Sequence, residues 1–428
     1  MRGSLLLSLI AYTLVLFGLL SMNGPLVGLS LIYIIYLAVS YFSSLRNIRI
    51  DVTRTISTQR VSTNTPCEVT ISVANTGMTL EAVQFEENLP AGLDVQKGSV
   101  RHIFHLPAGK TVTWKYTISG SRGYYTFEEI IAKVWDPLWV RSREEKASAN
   151  GQLFVLPPVL QLKNLSIRPR RTRVYSGIVP ARTGGPGIEF FDVREYQPGD
   201  PLRWINWRLS ARYPSTWFSK EFEQERVADV GIILDGRLRA NLISENKSIF
   251  EHSALAAAAI SGTFLAQGNR VGLLVYGQFI QWTFPGYGRV QRERILRALA
   301  LARLGTSQVF SHLEYIPTRL FPSHSQLILI SPLVTDDPDV IVRLRARGYK
   351  IVLISPDPVS YEASYLLDAP EFKQAERIIH MQRELMLEKI RHAGIQVVDW
   401  NVSTPFEQVM NQHFRRLPVL PERTVGRR

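Results

Sequence analysis

The chain has 428 residues, 45% of them hydrophobic, a formal net charge of +13 and one cysteine, Cys67. That length carries two or three domains, each able to bury a core of its own. A lone cysteine excludes any intrachain disulfide and suits a reducing compartment, and the positive excess points to an anionic partner: a lipid surface, a nucleic acid or an acidic protein.

No charged residue occurs between Gly3 and Leu45. Ser4–Leu20 and Pro25–Phe42 are two apolar runs separated by Ser21-Met22-Asn23-Gly24. Each is long enough to cross a hydrocarbon core as a helix, at the short end of the range of about 17–25 residues. A cleaved signal peptide fits poorly: the first run lacks a small-x-small site and the second follows at once. The expectation over residues 1–45 is therefore a transmembrane hairpin in the lipid bilayer. Arg2 precedes it, Arg46, Arg49, Arg54 and Arg60 follow, and the connecting loop is uncharged. The positive-inside rule then predicts a two-pass protein of the cell membrane with both termini and the soluble domains cytoplasmic.

Residues 48–150 are rich in short β signals, among them Val69–Ala74, Thr111–Ile118 and Tyr124–Phe127. Turn residues such as Asn75-Thr76-Gly77 and Pro107-Ala108-Gly109 separate them. This regular spacing predicts an immunoglobulin-like β-sandwich. His102 and His105 are three apart in a predicted strand, so they face opposite sides and make a poor ligand pair.

Residues 151–228 hold a basic linker and then a dense aromatic block. Arg168, Arg170, Arg171 and Arg173 read as a solvated connector drawn to anionic lipid. Nucleic-acid binding is disfavoured, because the cluster is short and interleaves one aromatic, Tyr175. From Gly184 to Glu225 three of the eight tryptophans are woven among arginines and acids. Ile188–Tyr196 predicts a strand, and Pro198-Gly199 suits a turn whose second central residue needs positive φ. Asp200 is expected to cap a helix starting at Pro201, with Trp204 and Trp207 on one face and Arg208 and Arg212 paired likewise. Pro214 should end it, and Thr216–Phe222 alternates as a strand.

From Val227 onward strands and helices alternate. Val230–Asp235 is a continuous apolar run, as expected for a strand buried on both faces. Helices are predicted over 251–266, 290–303, 338–346 and 371–392. Further strands are predicted over 271–276, 279–284, 326–331, 350–355 and 395–399. The pattern predicts a Rossmann-type α/β domain over 229–416, with a largely parallel sheet, and a basic tail over 417–428. No phosphate loop, nucleophile elbow or zinc motif occurs, so no catalytic residue, cofactor or metal is assigned. Asp336-Asp337 reads as a helix start, where acids are favoured.

The spacing G-x-E-F-x-x-x-R-x-Y-x-P-G-D-x-x-R-x-I-x-W, followed by Ala-Arg, falls on Gly187, Glu189, Phe190, Arg194, Tyr196, Pro198, Gly199, Asp200, Arg203, Ile205, Trp207, Ala211 and Arg212. It resembles the signature of the family catalogued as domain of unknown function 58. Ser121-Arg122-Gly123-Tyr124 and Asp136-Pro137-Leu138 resemble that family's β-sandwich. The resemblance covers essentially the whole chain. It implies a von Willebrand factor A-like domain after the signature, membrane helices and a β-sandwich before it, and a MoxR-type AAA+ ATPase as partner.

Metal-binding members of the von Willebrand A-like fold carry Asp-x-Ser-x-Ser after the first strand, a later Thr and an Asp after the fourth strand. Here Asp235 is followed by Arg237 and Arg239 at the serine positions. Residues 286–290 hold no Thr or Ser, and Ser331-Pro332-Leu333 lacks the aspartate. Asp235, Arg237, Arg239 and Ser331 thus form a degenerate metal-site edge. Its arginines either pair internally, with Asp235 or the signature's acids, or bind an anion or a partner's carboxylate. In the signature, Arg194, Asp200, Arg203 and Arg212 either form an ion-pair lattice bracing the linker against the sheet or, with Glu189, Tyr196 and Trp207, present a docking surface. The favoured function is a membrane-anchored cytoplasmic adaptor. The alternatives are a Mg²⁺-dependent adhesion module and an uncharacterised enzyme; oligomeric state is left open.

Overall fold

Two apolar helices, α1 (Arg2–Leu20) and α2 (Gly24–Phe42), open the computed structural model. The structure describes residues 2–42, 48–158, 160, 162, 173–213, 215–244, 247–305, 312–321, 325–365 and 370–415. The linker arginines Arg168, Arg170 and Arg171 and the basic tail lie outside these residues, as does the side chain of Glu189. The chain divides into two compact units, Met1–Leu156 and Pro157–Arg428. By length and composition α2, with 19 residues and a mean hydropathy of 1.9, is apolar enough to cross a membrane.

After the helix pair, nine strands form a β-sandwich. They are β1 (Ile50–Ile56), β2 (Arg60–Ser62), β3 (Cys67–Asn75), β4 (Leu80–Glu87), β5 (Leu93–Lys97), β6 (Arg101–Leu106), β7 (Thr111–Gly120), β8 (Gly123–Trp135) and β9 (Ser142–Leu156). One sheet has the order β1-β3-β7-β5 and the other β2-β9-β8-β4-β6. In β3 every second side chain, Cys67, Val69, Ile71 and Val73, is buried, the period-two signature of a sheet with one face on a core. These pack with Phe85, Trp114, Ile130 and Val155 from both sheets. The sandwich continues to Leu156 rather than ending at 150, because β9 pairs with β8 as far as Val155. His102 stacks on Phe104 and lies tilted against Trp114 while His105 lies beside Glu81, on opposite sides of β6 as the alternation requires.

A charged group lies inside this core. Arg54 and Glu87 pair at 2.8 Å with both side chains almost wholly buried, and the Tyr116 hydroxyl donates to the same carboxylate. Burial pushes the Glu87 carboxyl up, against the opposing pull of Tyr116 and Arg54. Glu87→Ala should strand the guanidinium without a counter-charge and cost about 3–5 kcal/mol of sandwich stability. Denaturant unfolding of the detergent-solubilised chain would measure this, and a loss below about 1 kcal/mol would contradict it.

The second unit begins with an irregular antiparallel ribbon, β10 (Arg173–Glu195) with β11 (Phe218–Val227), enclosing the one-turn helix α3 (Trp207–Ser210). Strand β12 (Asp229–Asp235) follows, then the short hairpin β13 (Ile243–Ser244) and β14 (Lys247–Ser248). The remaining elements are α4 (Ile249–Ala266), β15 (Arg270–Tyr276), β16 (Ile280–Gly286), α5 (Gly288–Leu301), β17 (Gln326–Ile330), α6 (Asp337–Ala346), β18 (Lys350–Pro356), α7 (Pro358–Ala363), α8 (Pro370–His392), β19 (Gln396–Trp400) and α9 (Phe406–Arg415). The six-stranded sheet has the order β16-β15-β12-β17-β18-β19 and is parallel except for its edge strand β16. The Ser248 hydroxyl caps α4, which is apolar because it is a core helix, 67% buried in its own unit. Helices α7 and α9 were not expected from the sequence. The chain leaves β12 toward β15 on one side and reaches β17 on the other, so the carboxyl ends of β12 and β17 form the switch point where such sheets bind ligands.

Candidate functional site

At that switch point the polar side chains are committed to one another. Asp235 ends β12 and is fully buried, and the guanidinium of Arg237, only 2% exposed, folds back onto it. Arg237 donates from Nε to Asp235 Oδ1 at 2.9 Å and from Nη2 to Oδ2 at 2.7 Å. The same group donates from Nη1 and Nη2 to Asp337, at the start of α6, at 3.0 and 2.7 Å. Ser331, just after β17, donates its hydroxyl to Asp235 Oδ2 at 2.6 Å, and the Val334 N–H donates to Asp337 at 2.8 Å. Burial disfavours the charge on Arg237, but Asp235 first and then Asp337 more than offset that and raise its pKa, so it stays protonated. The backbone crosses tightly beneath it: a Cβ on Gly305 would come within 2.0 Å of the Gln278 nitrogen, so only glycine fits.

This geometry decides between the alternatives for Arg237. An incoming anion or a partner's carboxylate has no access, since the guanidinium is buried and doubly paired. A hard divalent cation does not fit either. It needs about six oxygen ligands free to point inward, whereas both carboxylates already accept from N–H groups filling the space between them. Arg239 differs: it pairs with Asp336, which also meets His312 at 2.7 Å, and this outer group reaches solvent.

A second buried arginine stitches the neighbouring strand ends. Arg383 of α8 donates to the Pro332 carbonyl at 3.0 Å, the Ser355 hydroxyl at 3.0 Å and Asp399 at 2.6 Å, and lies 3.3 Å from Asp357. Sequence reasoning missed Asp357 and Arg383 and read Asp337 only as part of a helix start. The available signal was an acid just past β18, at Asp357, with no indication of its partner.

The signature block departs from its expected form. Gly199 has φ +110° as the turn requires, but no continuous helix follows. A 3₁₀ turn at Leu202–Trp204 ends at Ile205, which is buried and bridges to Ser219. The Asn206 N–H then donates to the Phe218 carbonyl, and the Asn206 side chain caps α3. Pairing with β11 thus breaks the helix and removes the shared face proposed for Trp204 and Trp207. Asp200 does not cap, because its carboxylate is taken by Arg194 at 2.7 Å and by the Gln197 N–H at 3.0 Å.

Arg194 also approaches Glu221 at 3.7 Å. No acid meets Arg203 or Arg212 among the described residues, and both are exposed. Among the described residues the four-membered lattice therefore does not form; Arg194, paired with Asp200 and approaching Glu221, locks the turn instead. Around that turn Trp207 is 63% and Trp217 51% exposed, with their rings 6.1 Å apart. Leu202 and Tyr213 are exposed too, and Tyr196 packs edge-on against Trp217.

The hydrogen bond from Arg194 holds the Asp200 carboxyl below its ordinary range. A lowered folded-state value means that the pair's contribution is complete above the unfolded value of about 4 and lost as pH falls through the folded one. Tryptophan emission should accordingly change below about pH 4, and Asp200→Asn should flatten that step. An unchanged step in this variant would assign it to another carboxylate.

Residues 192–357 match the model of the family described as "Protein of unknown function DUF58". An uncharacterized protein of Mycobacterium tuberculosis, Rv1480, is 27% identical over 150 residues, covering 34% of this chain and 46% of that protein. The uncharacterized protein YeaD of Bacillus subtilis is 25% identical over 231 residues, 53% of this chain and 55% of its own length. The chain therefore spans about half the length of the curated relatives it matches. Among solved structures, the CARDB domain of the PF1109 protein from Pyrococcus furiosus is similar at 15% identity and a TM-score of 0.19, covering 26% of this chain and 96% of that one. That likeness is too slight to add to the strand order itself. The signature from Arg194 onward, its one-turn helix and the first five strands of the sheet lie within the residues that match this family's model.

Proposed function

We propose that this protein is a membrane-anchored cytoplasmic adaptor whose α/β unit docks a protein partner through the signature's aromatic face. One observation carries the reading: Trp207, Trp217, Tyr213 and Leu202 stand exposed around a turn that the Arg194–Asp200 pair holds rigid. Large aromatics that expose apolar area on a preorganised element are the side chains that dominate protein interfaces. By the family resemblance the partner is a MoxR-type AAA+ ATPase, supplying a nucleotide hydrolysis for which this chain has no motif. The strand order and the antiparallel edge strand support a von Willebrand A-like fold. Its usual ligand edge is filled by Arg237 and Arg383, which favours docking at the signature over the metal-dependent and enzymatic alternatives.

The test is capture of the tagged full-length chain from gently solubilised native membranes, wild type beside Arg194→Glu, with co-recovered proteins identified by mass spectrometry. Recovery of an AAA+ ATPase that is lost in a folded Arg194→Glu protein supports the reading. Equal recovery in both removes the signature as the docking surface.

A further inference from the structure

The first unit has an exposed aromatic tip beside α2, formed by the loop between β8 and β9. We infer that this loop, residues 136–141, is a second membrane anchor that seats Trp139 in the headgroup layer of the bilayer. The inference rests on the reading that α2 spans the membrane.

Depth is the first argument. Tyr36 donates its hydroxyl to the Leu138 carbonyl at 2.8 Å, Ser40 donates to Asp136, and the Arg141 guanidinium lies over the Tyr41 ring at 5.3 Å. Tyr36 precedes the helix end at Phe42 by six residues, roughly 9 Å at 1.5 Å per residue. The loop therefore lies alongside the last two turns of α2, not beyond them. A helix of this length is about 28 Å long, close to the hydrocarbon thickness of about 30 Å. It has no slack with which to lift its final turns clear of the bilayer, so a loop bonded to those turns shares their depth.

The loop's chemistry suits that depth. Its one acid, Asp136, is fully buried and accepts from the Ser40 hydroxyl and the Val140 and Arg141 N–H groups, so it presents no charge to lipid. Trp139 is 58% exposed and stacks on Trp135 with ring centroids 5.1 Å apart. Its backbone has φ +56°, a left-handed conformation that a bulky residue adopts at a cost. Lys133 sits over the Trp135 ring at 5.8 Å, paired with Glu144 at 3.3 Å, and Arg141 is exposed, so a cation stands on either side of the aromatic pair. Amphipathic indoles with adjacent cations are the composition of the membrane–water boundary.

The experiment uses the full-length chain in phosphatidylcholine–phosphatidylglycerol vesicles. The buried Cys67 is replaced by serine, and an environment-sensitive fluorophore is placed at Trp139→Cys or, with the indole retained, at Pro137→Cys. Ile32→Cys in mid-α2 and Ser99→Cys in the turn preceding β6 are the companions. Nitroxides at shallow or deep acyl positions read the depth of each. The expected result is a blue shift and loss of emission with the shallow nitroxide at 139 and 137, deep quenching at 32 and an aqueous signal at 99. Aqueous signals at 139 and 137 with deep quenching at 32 overturn the proposal and leave the spanning helix intact. Equal shallow quenching at 99 and 139 also overturns it, because the sandwich would then lie on the lipid without a specific loop. An aqueous signal at 32 removes the spanning reading and the proposal together.

Discussion

Arg237→Ala should destabilise the α/β unit by about 3–5 kcal/mol, the usual cost of removing one partner from a buried ion pair. The guanidinium supplies four hydrogen bonds, two to each carboxylate. Without it Asp235 keeps Ser331 and a backbone N–H, and Asp337 keeps one backbone N–H, but two buried negative charges face each other unscreened. A domain holds only about 5–15 kcal/mol in total, so the variant should lose much of its cooperative unfolding transition. Arg237→Lys should rescue poorly, because an ammonium cannot engage two carboxylates with paired planar donors. Arg237→Ser carries a sharper expectation. It frees oxygens of Asp235 and Asp337 and adds a hydroxyl beside them, so millimolar Mg²⁺ should raise the melting temperature of this variant and leave the wild type unchanged. Thermal unfolding of the detergent-solubilised chain, with and without Mg²⁺, reads all three. A wild-type protein stabilised by Mg²⁺ would show that the guanidinium does not occupy the cation's place.

The largest expected effect on binding comes from Trp207→Ala combined with Trp217→Ala. Each truncation at an interface centre costs about 2 kcal/mol or more, so the pair should weaken partner affinity on the order of 1,000-fold. Both rings are more than half exposed, and exposed substitutions of this kind shift stability by only about 0.5 kcal/mol. The double variant thereby removes the surface while leaving the fold. Arg194→Glu acts differently, since it also releases Asp200 and loosens the turn beneath the aromatics. Loss of the partner in both variants is the expected pattern. Loss in Arg194→Glu alone would mean that the turn's shape matters and the indoles do not. Retention in both would move the search to the solvent-reaching Arg239–Asp336 group.

The contrast between these two sites shows what each level of structure controls. Apolar runs, strict alternation and unbroken buried strands record burial residue by residue, so the helix pair, the two sheets of the sandwich and the strand sequence of the α/β unit could be read locally. The signature helix could not. Pro201, Asp200 and the indole spacing all favour one helix, yet Ile205 bridges to Ser219 across fourteen residues, and the carboxylate meant for the cap finds Arg194 instead. Local propensity is worth only tenths of a kcal/mol per residue, and a buried side chain with backbone pairing outweighs it.

The strand-tip cluster divides in the same way. The residues following Asp235 already showed that arginines stand where hydroxyls would be needed for a cation. Which arginine turns inward, and against which acid, depended on Asp337, one hundred positions further along the chain. No periodicity links two such positions. The sheet brings β12 and the start of α6 together, and a buried guanidinium is stable only where two carboxylates converge on it. The sequence by itself determined the order of elements and the charges available at their ends; tertiary structure alone decided which of those charges would neutralise one another out of reach of water, and which would stay at the surface.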